Sequence, residues 1–265
     1  RPPRVMRPVV ALFAGTHGVA ASEENAAVRR LVERCAAGGG AVNQACVASD
    51  LGLKIFDLAL DVPTADIAAD AALDEKAAAA TVAFGMEAVA GGTDLLVLGG
   101  YGGRGGRLAA AAVLAAIHGD GFAPSSDEEG RAVVEEALRL HAGHLGDPLE
   151  ALRRLGGREV AALVGAIVAA RMQKVAVILD GEVALAAAAV VKALVPEGVQ
   201  HCIAGDSGSQ LAEKAVAVLE LESVLRLGMD TGDAAGGAIA AGVVKTAAQV
   251  HAGAAEFLKA SEKVH

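Results

Sequence analysis

Tryptophan is absent from this chain of 265 residues, tyrosine occurs once and phenylalanine five times, so aromatic residues amount to 2%. That leaves too little stacking surface for single-stranded nucleic acid, and a net charge of −9 speaks against a broad phosphate-backbone surface. No nucleic-acid partner is expected. Cysteine is scarce and odd in number: Cys35, Cys46 and Cys202 lack metal-ligand spacing and read as small buried hydrophobes in a reducing compartment. No uninterrupted apolar run reaches the roughly 18 residues of a membrane span, and the Arg-Pro-Pro-Arg-Val-Met-Arg-Pro start lacks a secretory signal. The expected location is the cytoplasm, with no membrane partner. Also missing are a Walker loop, the spacing of the dinucleotide fingerprint, a Ser-His-Asp or Cys-His constellation and a metal motif. His141 and His144, three apart near a polar helix end, read as solvated.

What is abundant is alanine and glycine, which lets helices pack closely. Short β-rich runs alternate with longer helical ones, predicting βαβ units and a parallel sheet. The fold class is α/β, Rossmann-like, in three layers with helices on both faces. Strands are expected at 9–14, 54–60, 94–99, 174–180, 200–204 and 224–229. Helices are expected at 23–37, 74–90, 107–118, 127–144, 148–155, 159–171, 183–194 and 210–219, with Asp74 and Asp147 as caps and Pro148 in a first helical turn. Residues 119–129 read as a crossing loop. Residues 1–235 form the expected α/β core, and 236–265 a C-terminal helical segment.

The most telling stretch runs from Asp94 to Arg107, Asp-Leu-Leu-Val-Leu-Gly-Gly-Tyr-Gly-Gly-Arg-Gly-Gly-Arg, a strand, a glycine turn and a helix start. Backbone amides of Gly99, Gly102, Gly105 and Gly106, with Arg104 and Arg107 beside them, suit a phosphate or carboxylate. Tight packing is the competing reading. In an open parallel sheet ligands bind beyond the carboxyl ends of the strands. The turns that would meet there are 15–18 with His17, 99–107, 180–182 with Asp180 and Gly181, 205–208 with Gly205 and Asp206, and 230–237. Asp180 stands equally well as a helix N-cap, His17 as a tight-turn residue, and Asp206, Asp230 and Asp233 as ordinary turn acids.

Leu-Phe-Ala-Gly-Thr-His-Gly-Val-Ala at 12–20, Gly-Gly-Gly-Ala-Val-Asn at 38–43, the stretch 91–99, Asp-Pro-Leu-Glu-Ala-Leu-Arg-Arg-Leu-Gly-Gly-Arg-Glu at 147–159 with the helix to Arg171, Val-Ile-Leu-Asp-Gly at 177–181, Ala204-Gly205 and Leu-Gly-Met at 227–229 together resemble one family. It is the nicotinate-nucleotide:dimethylbenzimidazole phosphoribosyltransferases of cobalamin lower-ligand assembly. The resemblance implies a homodimer with a small helical domain from the chain ends. It implies transfer of phosphoribosyl from nicotinate mononucleotide to a benzimidazole-type base, with no metal or cofactor. A carboxylate takes the azole proton while backbone amides hold the phosphate.

The departures fall in the implied site. Where the family reads Gly-Glu-Met-Gly-Ile-Gly-Asn-Thr-Thr, this chain has Gly99 to Arg107, without the Glu or the threonines. Asp-His-Gly becomes Thr16-His17-Gly18, the loop that follows is shorter, and the Arg-Gly-Thr-Gly segment is lost around 122–134. The proton-accepting Glu of Arg-Leu-Gly-Glu-Gly-Ser-Gly is matched to Asp233. The family's amino-terminal helices are expected to be missing. Three functions follow: a working transferase with Asp233 as catalytic base, a catalytically silent relative that binds a nucleotide or corrinoid precursor or serves as partner subunit of an active homologue, and a related transfer to another base or anion that uses Arg104 and Arg107.

Overall fold

The computed structural model describes residues 2–124 and 127–262. Six strands form one all-parallel sheet: β1 (Pro8–Ala14), β2 (Gly52–Asp57), β3 (Leu95–Tyr101), β4 (Ala176–Asp180), β5 (Cys202–Asp206) and β6 (Ser223–Leu225), in the order β2-β1-β3-β4-β5-β6. The sheet carries helices on both faces. Those between β1 and β3 are α1 (Ser22–Ala36), α2 (Ala41–Ser49) and α3 (Glu75–Gly85). Between β3 and β4 lie α4 (Gly103–His118), α5 (Glu128–His141), α6 (Pro148–Leu155) and α7 (Gly157–Met172). Then come α8 (Gly181–Leu194), α9 (Gln210–Leu219) and α10 (Ala235–Glu262).

The period of two along the strands sorts the core into two slabs. Ala11 and Phe13 of β1, Leu96 and Leu98 of β3, and Val177 and Leu179 of β4 pack with buried residues of α3, α4, α7 and α8. Val10, Leu12, Leu95, Val97 and Ile178 face the other way, against α1, α2 and α10. The alanine-rich helices α4, α7 and α8 are buried along most of their length, which only small side chains permit. Asp74 and Asp147 cap α3 and α6 as expected, accepting from the amides of Ala77 and Leu149.

Several expectations need correction. The nine-residue α2 falls where no helix is expected from the sequence; its apolar positions Val42, Ala45 and Cys46 give little periodic signal, and burial against α10 stabilises it instead. The sixth strand is three residues long rather than six, because both oxygens of Asp206 take the amides of Leu227 and Met229 at 2.7 and 2.6 Å and draw the chain into a loop. His141 is not solvated: it is buried, with Nε2 3.0 Å from the Ile67 carbonyl, while His144 is exposed. Ser125 and Ser126 of the crossing loop, and the last three residues of the expected C-terminal helix, lie outside the described residues. Among those described, no helix is long and apolar enough to cross a membrane.

Candidate functional site

The strand order has its switch point between β1 and β3, where doubly wound sheets commonly bind ligands. Here that crevice is filled. His17, after β1, is fully buried and hydrogen-bonds through Nε2 to Oε1 of the equally buried Glu159 on α7. The open cavity lies one strand over, beyond the carboxyl ends of β3, β4 and β5, with a volume of about 270 Å³. Gly100 to Arg104 and Arg107, Asp180 to Val183, Asp206, Gly208, Ser209, Ala212 and the loop Met229 to Gly232 line it.

Helix starts supply the cavity's positive end. Neither Gly102 before α4 nor Asp180 before α8 caps its helix with a side chain, so the first amides of two helices at one cavity lack a side-chain acceptor. Ser209 does cap α9, accepting from Ala212 at 3.1 Å. Asp180 thus occupies the N-cap position of α8, as the alternative reading expected, but without a side-chain capping bond.

The charged groups are mutually tied. Arg107 donates from Nη1 to Asp230 at 2.8 Å, and its Nε lies 3.5 Å from Glu182. Glu182 in turn accepts a hydrogen bond from the Ser209 hydroxyl. Burial works against the Arg107 charge, but Glu182 and Asp230 outweigh it and hold its pKa above the ordinary value. Burial raises the pKa of Glu182, opposed by Ser209 and Arg107. Arg104 points away to Asp127 and Glu129 at 3.1 and 3.3 Å. The cavity thus holds the Arg107 guanidinium, four carboxylates and two uncapped helix starts, a set suited to a ligand with both an anionic group and hydroxyls.

Asp180 is the carboxyl most altered by its surroundings. Burial, with Asp206 and Asp233 as repelling neighbours, outweighs the amides of Asp206 and Gly237 and pushes its pKa up to about 7, from an ordinary value of 3.8. The folded chain therefore binds more protons than the unfolded one between those values. This stabilising contribution is full below the unfolded pKa and is lost as pH rises through the folded one. Asp180→Asn, which cannot ionise, is expected to melt better relative to wild type at pH 8 than at pH 5. Calorimetric scans at both pH values check this, and the opposite trend would contradict it.

The structure divides the residues singled out from sequence. Gly102, Arg104, Arg107, Asp180, Gly181 and Asp206 come together around the cavity. Gly99, Gly105, Gly106, Gly205 and His17 do not line it, and their close approaches are to protein. A Cβ on Gly99 would meet that of Ala234 at 2.5 Å, one on Gly105 the His17 Cβ at 2.5 Å, and one on Gly205 the Gly237 Cα at 2.9 Å. For these, tight packing is the observed role. Asp233 also lies behind the wall, its oxygens accepting from the amides of Val42 and Ala235, each at 3.3 Å. Sequence reasoning gave no site role to Glu159, Glu182 or Ser209, and read Asp230 as an ordinary turn acid. Two had a signal: Glu182 and Asp230 both stand in strand-end turns. The buried thiols offer no nucleophile, since burial raises Cys35 and pushes Cys46 and Cys202 up to about 11 and 12. Among the described residues no His, Cys, Asp and Glu cluster is arranged to hold a metal ion.

A parallel sheet between two layers of helices, with a cavity at its carboxyl edge, defines the class as a Rossmann-like α/β protein. Comparison with known proteins narrows this. A phosphoribosyltransferase family model matches residues 1–261, and the chain belongs to that family. It is 50% identical over 98% of its length to the nicotinate-nucleotide–dimethylbenzimidazole phosphoribosyltransferase of Rhizobium meliloti (strain 1021), covering 81% of that protein. With the enzyme of the same name from Sinorhizobium fredii (strain NBRC 101917 / NGR234) the identity is 51% at the same coverage. The crystal structure of nicotinate-nucleotide-dimethylbenzimidazole phosphoribosyltransferase from Thermus thermophilus superposes with a TM-score of 0.85 at 28% identity, over 94% of this chain and 84% of that one.

Proposed function

We infer that this chain transfers the phosphoribosyl group of nicotinate mononucleotide to a nitrogen of dimethylbenzimidazole, releasing nicotinate, as the names of its relatives state for them. The observation that carries this reading is the cavity where uncapped starts of α4 and α8 meet Arg107, Glu182 and Asp230. The helix amides and Arg107 suit the phosphate, and the carboxylates suit ribose hydroxyls. In the reaction the bond between the anomeric carbon and the nicotinate nitrogen breaks, a bond from that carbon to the azole nitrogen forms, and the azole proton passes to a carboxylate.

We propose that this acceptor sits on the loop 230–233. Asp230 faces the cavity, whereas Asp233 would first have to leave the amides of Val42 and Ala235. Asp230→Asn is expected to cut nicotinate release by about a hundredfold or more, and Asp233→Asn to lower stability more than turnover. The reverse order would assign the proton to Asp233. Full activity in both variants would remove the loop from the chemistry.

A second reading, a silent nucleotide-binding relative or partner subunit, is favoured by Gly100, which stands where the family carries Glu, and by the carboxylates already occupying Arg107. Calorimetric binding of nicotinate mononucleotide without release would support it. We also propose a dimer, of two copies or with a homologue, formed through the outer face of α10, whose inner face packs on the sheet. On α10, Val243, Val250 and Phe257 recur every seven residues and are all exposed. A solution mass near twice 26.3 kDa is expected for two copies. The cytoplasm is the proposed location, in keeping with three buried free thiols.

A further inference from the structure

His17 and Glu159 are the most completely buried ionisable pair among the described residues, and the transfer chemistry above uses neither. They join three elements: His17 follows β1, Glu159 sits in the first turn of α7, and both touch the first turn of α4. Five glycines close around them. A Cβ on Gly102 would strike Glu159 Oε1 and come within 2.6 Å of His17 Nε2. One on Gly106 would reach Glu159 Oε1 at 2.9 Å, and one on Gly105 would reach the His17 ring at 2.9 Å. Gly15 leaves room only for Glu159 Oε2, and Gly157 only for the His17 ring. His17 is itself pinned, its amide donating to Asn25 Oδ1 at 3.0 Å and its carbonyl accepting from Asn25 Nδ2 at 2.8 Å.

The far atoms of the pair, His17 Nδ1 and Glu159 Oε2, are buried and have no hydrogen-bond partner. Leaving two polar atoms unsatisfied is costly for a pair that served packing alone, and apolar side chains of similar volume would fill the space without that cost. What the pair provides that apolar groups would not is a directional polar contact beneath α4. Glu159 lies against Gly102 and Gly106, at the helix end whose residues Gly102 to Arg104 line the cavity. A shift of either side chain would therefore move the cavity wall.

We propose that His17 and Glu159 are a positioning pair for the cavity: their contact fixes the height of the Gly102 wall and holds the Glu159 side chain in one place beneath the first turn of α4, so that the helix start stays available to a phosphate-bearing ligand. This rests on the phosphate-binding part of the function proposed above. Both residues act through Gly102 and the first turn of α4, and neither touches the ligand.

The test compares wild type with His17→Gln, Glu159→Gln, the double variant and Gly102→Ala, each shown to be folded by circular dichroism. KM and kcat are measured for nicotinate release, and the Kd for inorganic phosphate by calorimetry. His17→Gln, which breaks the contact with Glu159, and Gly102→Ala, which keeps both side chains but displaces the wall, are expected to raise KM and the phosphate Kd about tenfold or more, with a smaller change in kcat. The double variant, whose two amide side chains can hydrogen-bond to each other, is expected to recover part of the loss seen in His17→Gln. A KM and phosphate Kd within twofold of wild type in all folded variants would overturn the proposal, a fall in kcat alone then marking a purely structural pair. If the wild type releases no nicotinate, the transfer reading falls while the phosphate titration still decides this one.

Discussion

Arg107→Ala is expected to raise the KM for nicotinate mononucleotide about a hundredfold, the equivalent of losing roughly 3 kcal/mol of charge-assisted hydrogen bonding. Two effects act in the same direction. The guanidinium is the cation lining the cavity that sits between two of its carboxylates, and removing it leaves Glu182 and Asp230 uncompensated beside an incoming phosphate. Arg104 cannot substitute, because Asp127 and Glu129 hold its charged end away from Asp230 and Glu182. Steady-state kinetics with the base saturating reads the effect directly. A KM within threefold of wild type would move the phosphate elsewhere.

The largest expected effect on stability comes from a position far from the cavity. A Cβ on Gly165 of α7 would land on the carbonyl oxygen of Val82 in α3, and one on Gly85 of α3 would land on the carbonyl oxygen of Ala162. The two helices approach backbone to backbone at reciprocal glycines, so no side-chain rotation can relieve an added methyl group. Gly165→Val is expected to cost on the order of 3 kcal/mol by overpacking. For a chain of this size that is a fall of about 10 °C in melting temperature. A thermal scan checks it, and a shift below about 2 °C would show that the helices separate freely.

The parts of the fold that were legible share one property: their signal is local. Val10 to Phe13 and Leu95 to Leu98 announce buried strands because both of their faces are apolar, and both faces are indeed covered. Asp74, Asp147 and Pro148 announce helix starts because capping needs only neighbours in sequence. The nine residues of α2 give no such sign, since what holds them is α10, almost two hundred residues away. The loop after β6 failed for the same reason: its conformation is set by Asp206 on another strand.

The site followed that pattern. Reading the strand ends as one group brought Gly102, Arg104, Arg107, Asp180, Gly181 and Asp206 to one cavity. It could not tell which glycines face a ligand and which face protein. Gly105 and Gly106 stand in the turn read as a ligand loop, yet a Cβ on either would run into His17 or Glu159, a pairing of residues 142 apart. Nor could it distinguish Asp230 from Asp233. The two acids lie three residues apart on one turn, but one faces the cavity and the other the amides of α2 and α10. The loop 99–107, with its glycines and arginines, is therefore half ligand wall and half packing surface.

The central claim is that the cavity beyond β3, β4 and β5 carries out phosphoribosyl transfer to an aromatic base. The most direct measurement is nicotinate release from nicotinate mononucleotide by the wild-type chain, with and without dimethylbenzimidazole. The account predicts release that depends on the base and is matched mole for mole by a phosphoribosylated benzimidazole. No release, or equal release without the base, would contradict it.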